Sequence, residues 1–463
     1  MIILYGLLLA FGVYANELTP RAIYDSVNNY HPKLLENLLK VSEFQGKATA
    51  KQGSFDTTLE GEYFNRTAGY YDGDYLSTAI SKPLASINSE LYGGYRRGMD
   101  SHPVYDGNYL TGEGGRYVVG GEVNLFRNSK IYQDAIALTN SKMDVQKMQA
   151  MYNLIRMEVM EVALTKYWEW VAKGMQLKVY IDLLELAKTR QKAIESQVKH
   201  GDIANFYAIE NQQYILQRTN KVQEMQSQFD IVSYQLSLYF RNAVGEMIPV
   251  EEKNLPTEMP NIIYHNTIEN DGEYIKVINP ALKAMQIELE QLENELKVAK
   301  AFKLPEASIG GEFYQDMGER DVTRQQARAR IGVNFKMPLE RNKGKGMTVE
   351  IESKKQQIRA RKIMMENQLN TELSSIKNTM IVYEKMWHNA ESEFDIASKL
   401  VKFERENVKH GNSDFFTLNL REQSAFQARV KSIEYHAYLN ISHLKYHTIL
   451  MKIDDLFATN NGK

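Results

Sequence analysis

From Asn128 to His200 the chain runs for about 70 residues with one glycine and no proline. A helix of that length extends on the order of 100 Å. Such a rod cannot be folded into one compact core. The run ends at Val198-Lys199-His200-Gly201, and helix-favouring sequence resumes from Asp202 to Phe240. The same four residues return at Val408-Lys409-His410-Gly411, between the long runs Lys345 to His410 and Asn412 to Asp455. Glycine ends helices because it takes positive φ without a Cβ penalty. Two helices joined at so short a break fold back as an antiparallel hairpin. The flanks repeat as well. At an offset of 210, Ala187 matches Ala397, Lys192 matches Lys402, Phe206 matches Phe416, Gln213 matches Gln423 and Gln217 matches Gln427.

The duplication reaches upstream. His31-Pro32-Lys33-Leu34-Leu35 opens one helix and Asn279-Pro280-Ala281-Leu282-Lys283 another, with proline in the first turn, where its missing N–H costs little. Beyond Pro280 a heptad seam runs through Leu282, Met285, Leu289, Leu292, Leu296 and Ala299. Strand-like sequence follows each helix, at Phe55–Phe64 and at Ile309–Tyr314. In the second half a strand over Ala327–Met337 completes a hairpin, and Pro338-Leu339 leads back into helix. The matching exit in the first half is Gly121–Asn128. From Phe64 to Phe126 is 62 residues, against 23 from Tyr314 to Met337. The excess holds further strand-like text at Tyr75–Ile80 and Glu90–Arg97, and a loop rich in Gly, Tyr and Asp at Ser101–Arg116. Four strands are therefore expected in the first half and two in the second. Asn242–Asp271, with Pro249, Pro256 and Pro260, reads as a connector. The last eight residues read as frayed.

Composition removes several classes of function. A net charge of −2 gives no global basic field for nucleic acid. The absence of cysteine excludes disulfides, thiolate metal sites and a cysteine nucleophile. Nine scattered histidines show no metal-ligand spacing. Asn342-Lys343-Gly344-Lys345-Gly346 lacks the full phosphate-loop pattern, and no nucleophile elbow appears. No catalytic residue, cofactor or metal is expected, and the chain does not read as an enzyme. Trp168, Trp170 and Trp387 read as packing residues. Acids along the helices read as solvated. Met1–Ala15 reads as a secretory signal cut after Ala15, although its start carries no Lys or Arg. No later stretch reaches 18 apolar residues.

Helices this long, with narrow apolar stripes, suit side-by-side packing in a tube or bundle. Four or six strands leave open edges and are too few to close a barrel alone. A secreted chain can pack them as a soluble sandwich or share one barrel among subunits. Alternation without a rich second apolar face favours sharing. Segments of Phe55–Phe64 and Ala327–Met337 length suit tilted membrane strands of roughly 9 to 11 residues.

The order helix, β-hairpin, long helix, glycine turn, long helix, present twice, resembles the TolC-type outer membrane channels of bacterial efflux and type I secretion. The Asn279-Pro280 helix start and the Pro338-Leu339 strand exit are also family-like. The resemblance covers essentially the whole chain after residue 15. It implies a mainly α fold with a membrane β-barrel, formed by a homotrimer in outer membrane lipid, and an α-helical tunnel through the periplasm. It implies two repeats, 16–241 and 273–463, joined by an equatorial connector at 242–272. Their β regions lie at about 53–126 and 305–337, and their tips near 201 and 411. Val198, Lys199, His200, Gly201, Val408, Lys409, His410 and Gly411 would then dock a periplasmic adaptor, itself joined to an inner-membrane transporter. Opening would come from untwisting of the hairpins. The family's entrance acid, six residues after the tip glycine, falls on Tyr207 and Thr417. Asp414 is the first choice as its substitute, with Glu210 also near the periplasmic entrance. Asp202 and Glu422 are the other acids nearby. The extra residues of the first half give either six strands per chain and a barrel of 18 rather than 12, or an extracellular plug or loop. The alternative is a soluble secreted coiled-coil scaffold or structural protein.

Overall fold

The computed structural model describes residues 17–68, 73–100, 109–260, 270–318 and 326–457. The expected signal segment and part of the Ser101–Arg116 loop lie outside the described residues. The chain divides into two compact units. One comprises Met1–Leu38, Tyr152–Pro280 and Met365–Lys463; the other comprises Leu39–Met151 and Ala281–Met364.

Eight α-helices are described: α1 Pro20–Tyr30, α2 Pro32–Gln52, α3 Lys130–His200, α4 Phe206–Ser237, α5 Asp271–Ile278, α6 Pro280–Ala301, α7 Asn342–Lys409 and α8 Phe415–Ile449. Thr19 caps α1 by accepting from the Ala22 amide at 3.2 Å. The Asn342–Gly346 segment, set aside as a phosphate loop, is the first turn of α7. Among the described residues no helix is long and apolar enough to cross a membrane.

In the first unit α3 and α4 lie antiparallel. Trp170 Nε1 donates to Ser233 Oγ at 3.0 Å, Arg218 to the Leu183 carbonyl at 2.9 Å and Asn211 to the Ala187 carbonyl at 3.0 Å. As one number rises the other falls, down to the Gly201 turn. α7 and α8 repeat this, with Tyr383 against Tyr438, Trp387 against His436 and Glu404 near Arg421. Trp168 and Trp170 are fully buried with Tyr167 and Phe229. The lone glycine of α3, Gly174, is explained by close approach: a Cβ there would come within 2.6 Å of both methyls of Leu255.

Of the last eight residues, expected to fray, only Leu456 and Phe457 are among the described residues, and Phe457 departs from that expectation. Phe457 is buried, its ring 4.6 Å from Tyr24. Asp454 is held bidentate by Arg156 at 2.8 and 2.9 Å. The partners of Phe457 and Asp454, on α1 and α3, lie some 300 to 430 residues away in the sequence.

In the second unit α6 packs on α7 through Leu292, Leu296, Ala299, Ile351 and Ile358, so the heptad seam is a buried interface. Gln291 ties α6 to α3, donating to the Asn140 carbonyl and to Asp144, both at 2.9 Å. This unit also holds six strands: β1 Thr58–Arg66, β2 Gly73–Leu84, β3 Ser89–Asp100, β4 Arg116–Asn124, β5 Glu306–Asp316 and β6 Arg328–Lys336. They form one antiparallel sheet in sequence order. The four-plus-two division holds. The first strand begins at Thr58 rather than Phe55, because Gly53–Phe55 makes a 3-10 turn that ends α2.

Candidate functional site

Both glycine turns close in the same way. Gly201 has φ +81° and Gly411 φ +71°. The Gly201 amide donates to the Val198 carbonyl at 3.0 Å, and the Asp202 amide to Gln197 at 2.9 Å. At the second turn Gly411 donates to Val408 at 3.1 Å and Asn412 to Asn407 at 2.9 Å. These are paired Schellman closures, which satisfy the last carbonyls of each helix. Nothing lies within 4 Å of a Cβ at either glycine, so the backbone angle, not space, demands it. Lys199, His200, Lys409 and His410 are exposed, and Val198 and Val408 are half-buried. Lys409 pairs with Glu406 at 2.6 Å and thereby lowers that carboxyl's pKa. His200 Nδ1 lies 2.7 Å from the Ser196 carbonyl.

The four entrance candidates are not equivalent. Asp414 is the N-cap of α8, accepting from the Thr417 amide at 2.7 Å, and this bond holds its pKa below the usual carboxylate range. Asn205, in the matching place before α4, makes no side-chain cap. Tyr207 lies between Phe206 at 5.8 Å and Phe415 at 6.2 Å, so residues just beyond the two turns meet. Glu210 is half-buried one turn before Tyr214.

Further along the same hairpins sits a charged cluster that sequence reasoning missed. Glu422 is 0% exposed. Arg190 of α3 donates to it at 2.5 Å and also to Asn419; Arg405 of α7 stands 3.6 Å from its other oxygen. Arg218 of α4 donates to Asn419 at 3.3 Å. Burial lowers the Arg218 pKa to about 10, against the raising effect of Glu422. The reading of helix acids as solvated fails here. No local signal marks Glu422, since its partner Arg190 is 232 residues away.

The sheet offers two chemically distinct faces. By ladder register, Leu59, Ile80, Gly93, Val119 and Phe313 stand level across five strands on one face. Leu91, Val123, Ile309, Ile331, Val333 and Phe335 share that face, and all are exposed, Ile331 at 80%. Tyr95 and Tyr117, with rings 5.2 Å apart, flank the band. The opposite face carries Glu60, Glu62, Glu90, Glu122, Glu312 and Arg330. There Arg116 of β4 grips Asp316 of β5 at 2.9 and 3.2 Å, and Tyr92 donates to Glu312 at 3.3 Å. Among the described residues no group of three His, Cys, Asp or Glu is placed to hold a metal ion.

Solved structures match this fold. CusC, a protein that forms a transmembrane channel, matches with a TM-score of 0.69 at 10% identity, over 95% of both chains. The MtrE outer membrane channel of Neisseria gonorrhoeae matches at 0.68 and 10% identity, over 93% of this chain and 89% of its own. The fold is that of the TolC-type outer membrane channels. The CmeC outer membrane channel of Campylobacter jejuni matches at 0.65 and 12% identity, over 94% of this chain and 85% of its own. No protein-family model and no curated protein matches the sequence. The likeness is thus one of fold, at 10 to 12% identity.

Proposed function

We propose that this chain is an outer membrane channel, the passive exit duct of a tripartite efflux or type I secretion system. The observation that carries the reading is the two-faced sheet. An exposed apolar face on an antiparallel sheet is a liability in water, where a patch of this kind associates. It is what a lipid-facing barrel wall requires, with an apolar band flanked by aromatic residues and a polar lumen behind it. The alternation of Leu59, Ile80, Val119 and Phe313 against Glu60, Glu62, Glu122 and Glu312 meets that description. A soluble scaffold would leave the apolar face uncovered.

The assembly is a homotrimer in the outer membrane, its helices reaching the periplasm. The tips, Val198–Gly201 and Val408–Gly411, dock a periplasmic adaptor coupled to an inner-membrane transporter. Their exposed Lys-His pairs and matched closures support that role. Asp414, Tyr207, Glu210 and Thr417 lie near the entrance. No step of bond chemistry belongs to the chain.

Membrane extraction and bilayer recording test this together. The protein should leave envelopes only with detergent, run as a trimer in mild SDS and conduct in a planar bilayer. A monomer that stays in buffer without detergent would overturn the reading. Cross-linked envelopes should yield the adaptor and pump with the native tips, and lose them on Gly201→Pro or Gly411→Pro while the trimer persists.

A further inference from the structure

At one end of the sheet the polar face is covered by chain. The helices join the sheet where β1 and β5 begin and where β4 and β6 end, so the β1–β2, β3–β4 and β5–β6 connections lie at the opposite end. Tyr109–Gly115 is the described part of the β3–β4 connection. Tyr109 sets its ring edge-on against Phe64 and Tyr75, with centroids 5.1 and 4.9 Å away. Phe64 and Tyr75 are register partners, and Phe64 alternates onto the polar face with Glu60 and Glu62. Arg116 Nη2 donates to the Leu110 carbonyl at 3.0 Å, and the Gly112 amide donates to Asp316 Oδ1 at 3.3 Å. Arg116 and Asp316 are partners on the same face. The side chains that hold Tyr109–Gly112 thus belong to β1, β2, β4 and β5, and all stand on the polar side.

The cover is packed, not loosely draped. Thr111 is 0% exposed, and its hydroxyl accepts from the Gly98 amide and donates to the Gly112 carbonyl, both at 3.0 Å. Asp316 and Tyr75 are buried beneath the segment. A Cβ on Gly112 would come within 2.4 Å of the Met317 carbonyl, so only glycine allows this approach. The Gly114 amide donates to the Met317 carbonyl at 2.7 Å, and the Met317 amide to the Gly115 carbonyl at 2.9 Å, which ties the return of the segment to the end of β5. A buried polar network whose members are paired holds one conformation. The β3–β4 ladder is complete without the segment, from Ser89 against Val123 to Arg96 against Arg116. Nearer the helices the same face is open, with Glu60 and Glu62 exposed.

We propose that Tyr109–Gly112 is an inward strap that narrows the outer end of the duct and sets the size of solute able to pass there. The proposal rests on the channel reading above, in which the polar face is the duct wall and the end away from the helices opens outside the cell. A layer packed on a sheet stands on the order of 10 Å from it. Each copy's strap takes that thickness from the opening, at the one level where the wall is covered.

Bilayer recording of the full chain tests it, with neutral polyethylene glycols of graded size added to each side in turn. The double variant Tyr109→Ser/Thr111→Gly removes the ring contacts and the hydroxyl bridge and alters no ladder pair. Its single-channel conductance should rise about twofold or more, because pore width governs passage. Larger polymers should enter from the outer side, while the size limit on the helical side stays as in the native chain. Native conductance and an unchanged outer size limit in the assembled double variant overturn the strap. Where the double variant does not assemble, single substitutions decide. Leu110→Cys and Glu113→Cys are placed in a chain with no cysteine of its own and labelled with a bulky methanethiosulfonate. Labelling at one or both should cut the current to about half or less. Unchanged current at both positions, with labelling confirmed by mass, overturns the strap as well. Either negative leaves the channel reading standing, whereas native protein that neither inserts nor conducts removes both.

Discussion

Arg190 of α3 donates to the buried carboxylate of Glu422 on α8 at 2.5 Å, joining the first helical hairpin to the second. Arg405 and Arg218 crowd the same place, so one acid and Asn419 serve three guanidinium groups. Removing one partner from a buried pair leaves an uncompensated charge and costs about 3–5 kcal/mol. Glu422→Ala should therefore lower stability by that order, measured by urea unfolding of detergent-solubilised protein. The double variant Arg190→Met/Glu422→Leu should recover part of the loss. If Glu422→Ala unfolds at the same urea concentration as the native chain, the cluster contributes nothing net.

The sequence shows the tips and hides this cluster for a physical reason. A Schellman turn is written in consecutive residues, and Val-Lys-His-Gly appears twice, so both turns could be placed to the residue. The strands were legible because GEYF and GEFY recur at the ends of matching segments. The start of β1 was missed by three residues, since nothing in Phe55 itself tells a strand from the 3-10 turn that ends α2. Glu422 gives no such sign. A charged residue on a helix is solvated by default, and only the fold brings Arg190 and Arg405 to it. The burial of Phe457 was illegible for the same reason, as it meets Tyr24 from the first helix of the chain.

The tip glycines sit at positive φ with open space around them. An L-residue in that conformation costs roughly 1–2 kcal/mol, and Asn carries the least of it. Gly411→Ala should therefore lower thermal stability by about 1 kcal/mol, and Gly411→Asn by less. The same order should hold at Gly201. Equal stability for the Ala and Asn variants would contradict the left-handed closure. Unchanged export by Gly201→Pro or Gly411→Pro would argue against adaptor docking at these turns.

Asp414 has two separable properties, a cap and a charge. It accepts from the Thr417 amide at the start of α8, and it is exposed. Asn caps about as well as Asp, whereas Ala does not, at a typical cost of about 1 kcal/mol. Asp414→Asn should keep the melting temperature and reduce single-channel cation preference. Asp414→Ala should lose both. If the Asn variant keeps the native selectivity, Asp414 is a cap and not an entrance acid.

His436 lies in face-to-face contact with Trp387, ring centroids 4.2 Å apart, and burial pushes its pKa below the usual imidazole range. Glu391 opposes that shift and Arg429 adds to it. A lowered folded-state pKa means that the unfolded chain takes up the proton first as pH falls. The stabilising contribution of neutral His436 is thus complete above about pH 6.5, the unfolded value, and declines below it toward the folded pKa. His443, also lowered by burial, contributes in the same direction. The native protein should melt at a lower temperature at pH 5 than at pH 7.5. His436→Phe keeps a ring against Trp387 and cannot titrate, so the difference between the two pH values should shrink. The same difference in both proteins would show that protonation of His436 does not drive the loss, and would point to His443 or to the carboxylates instead.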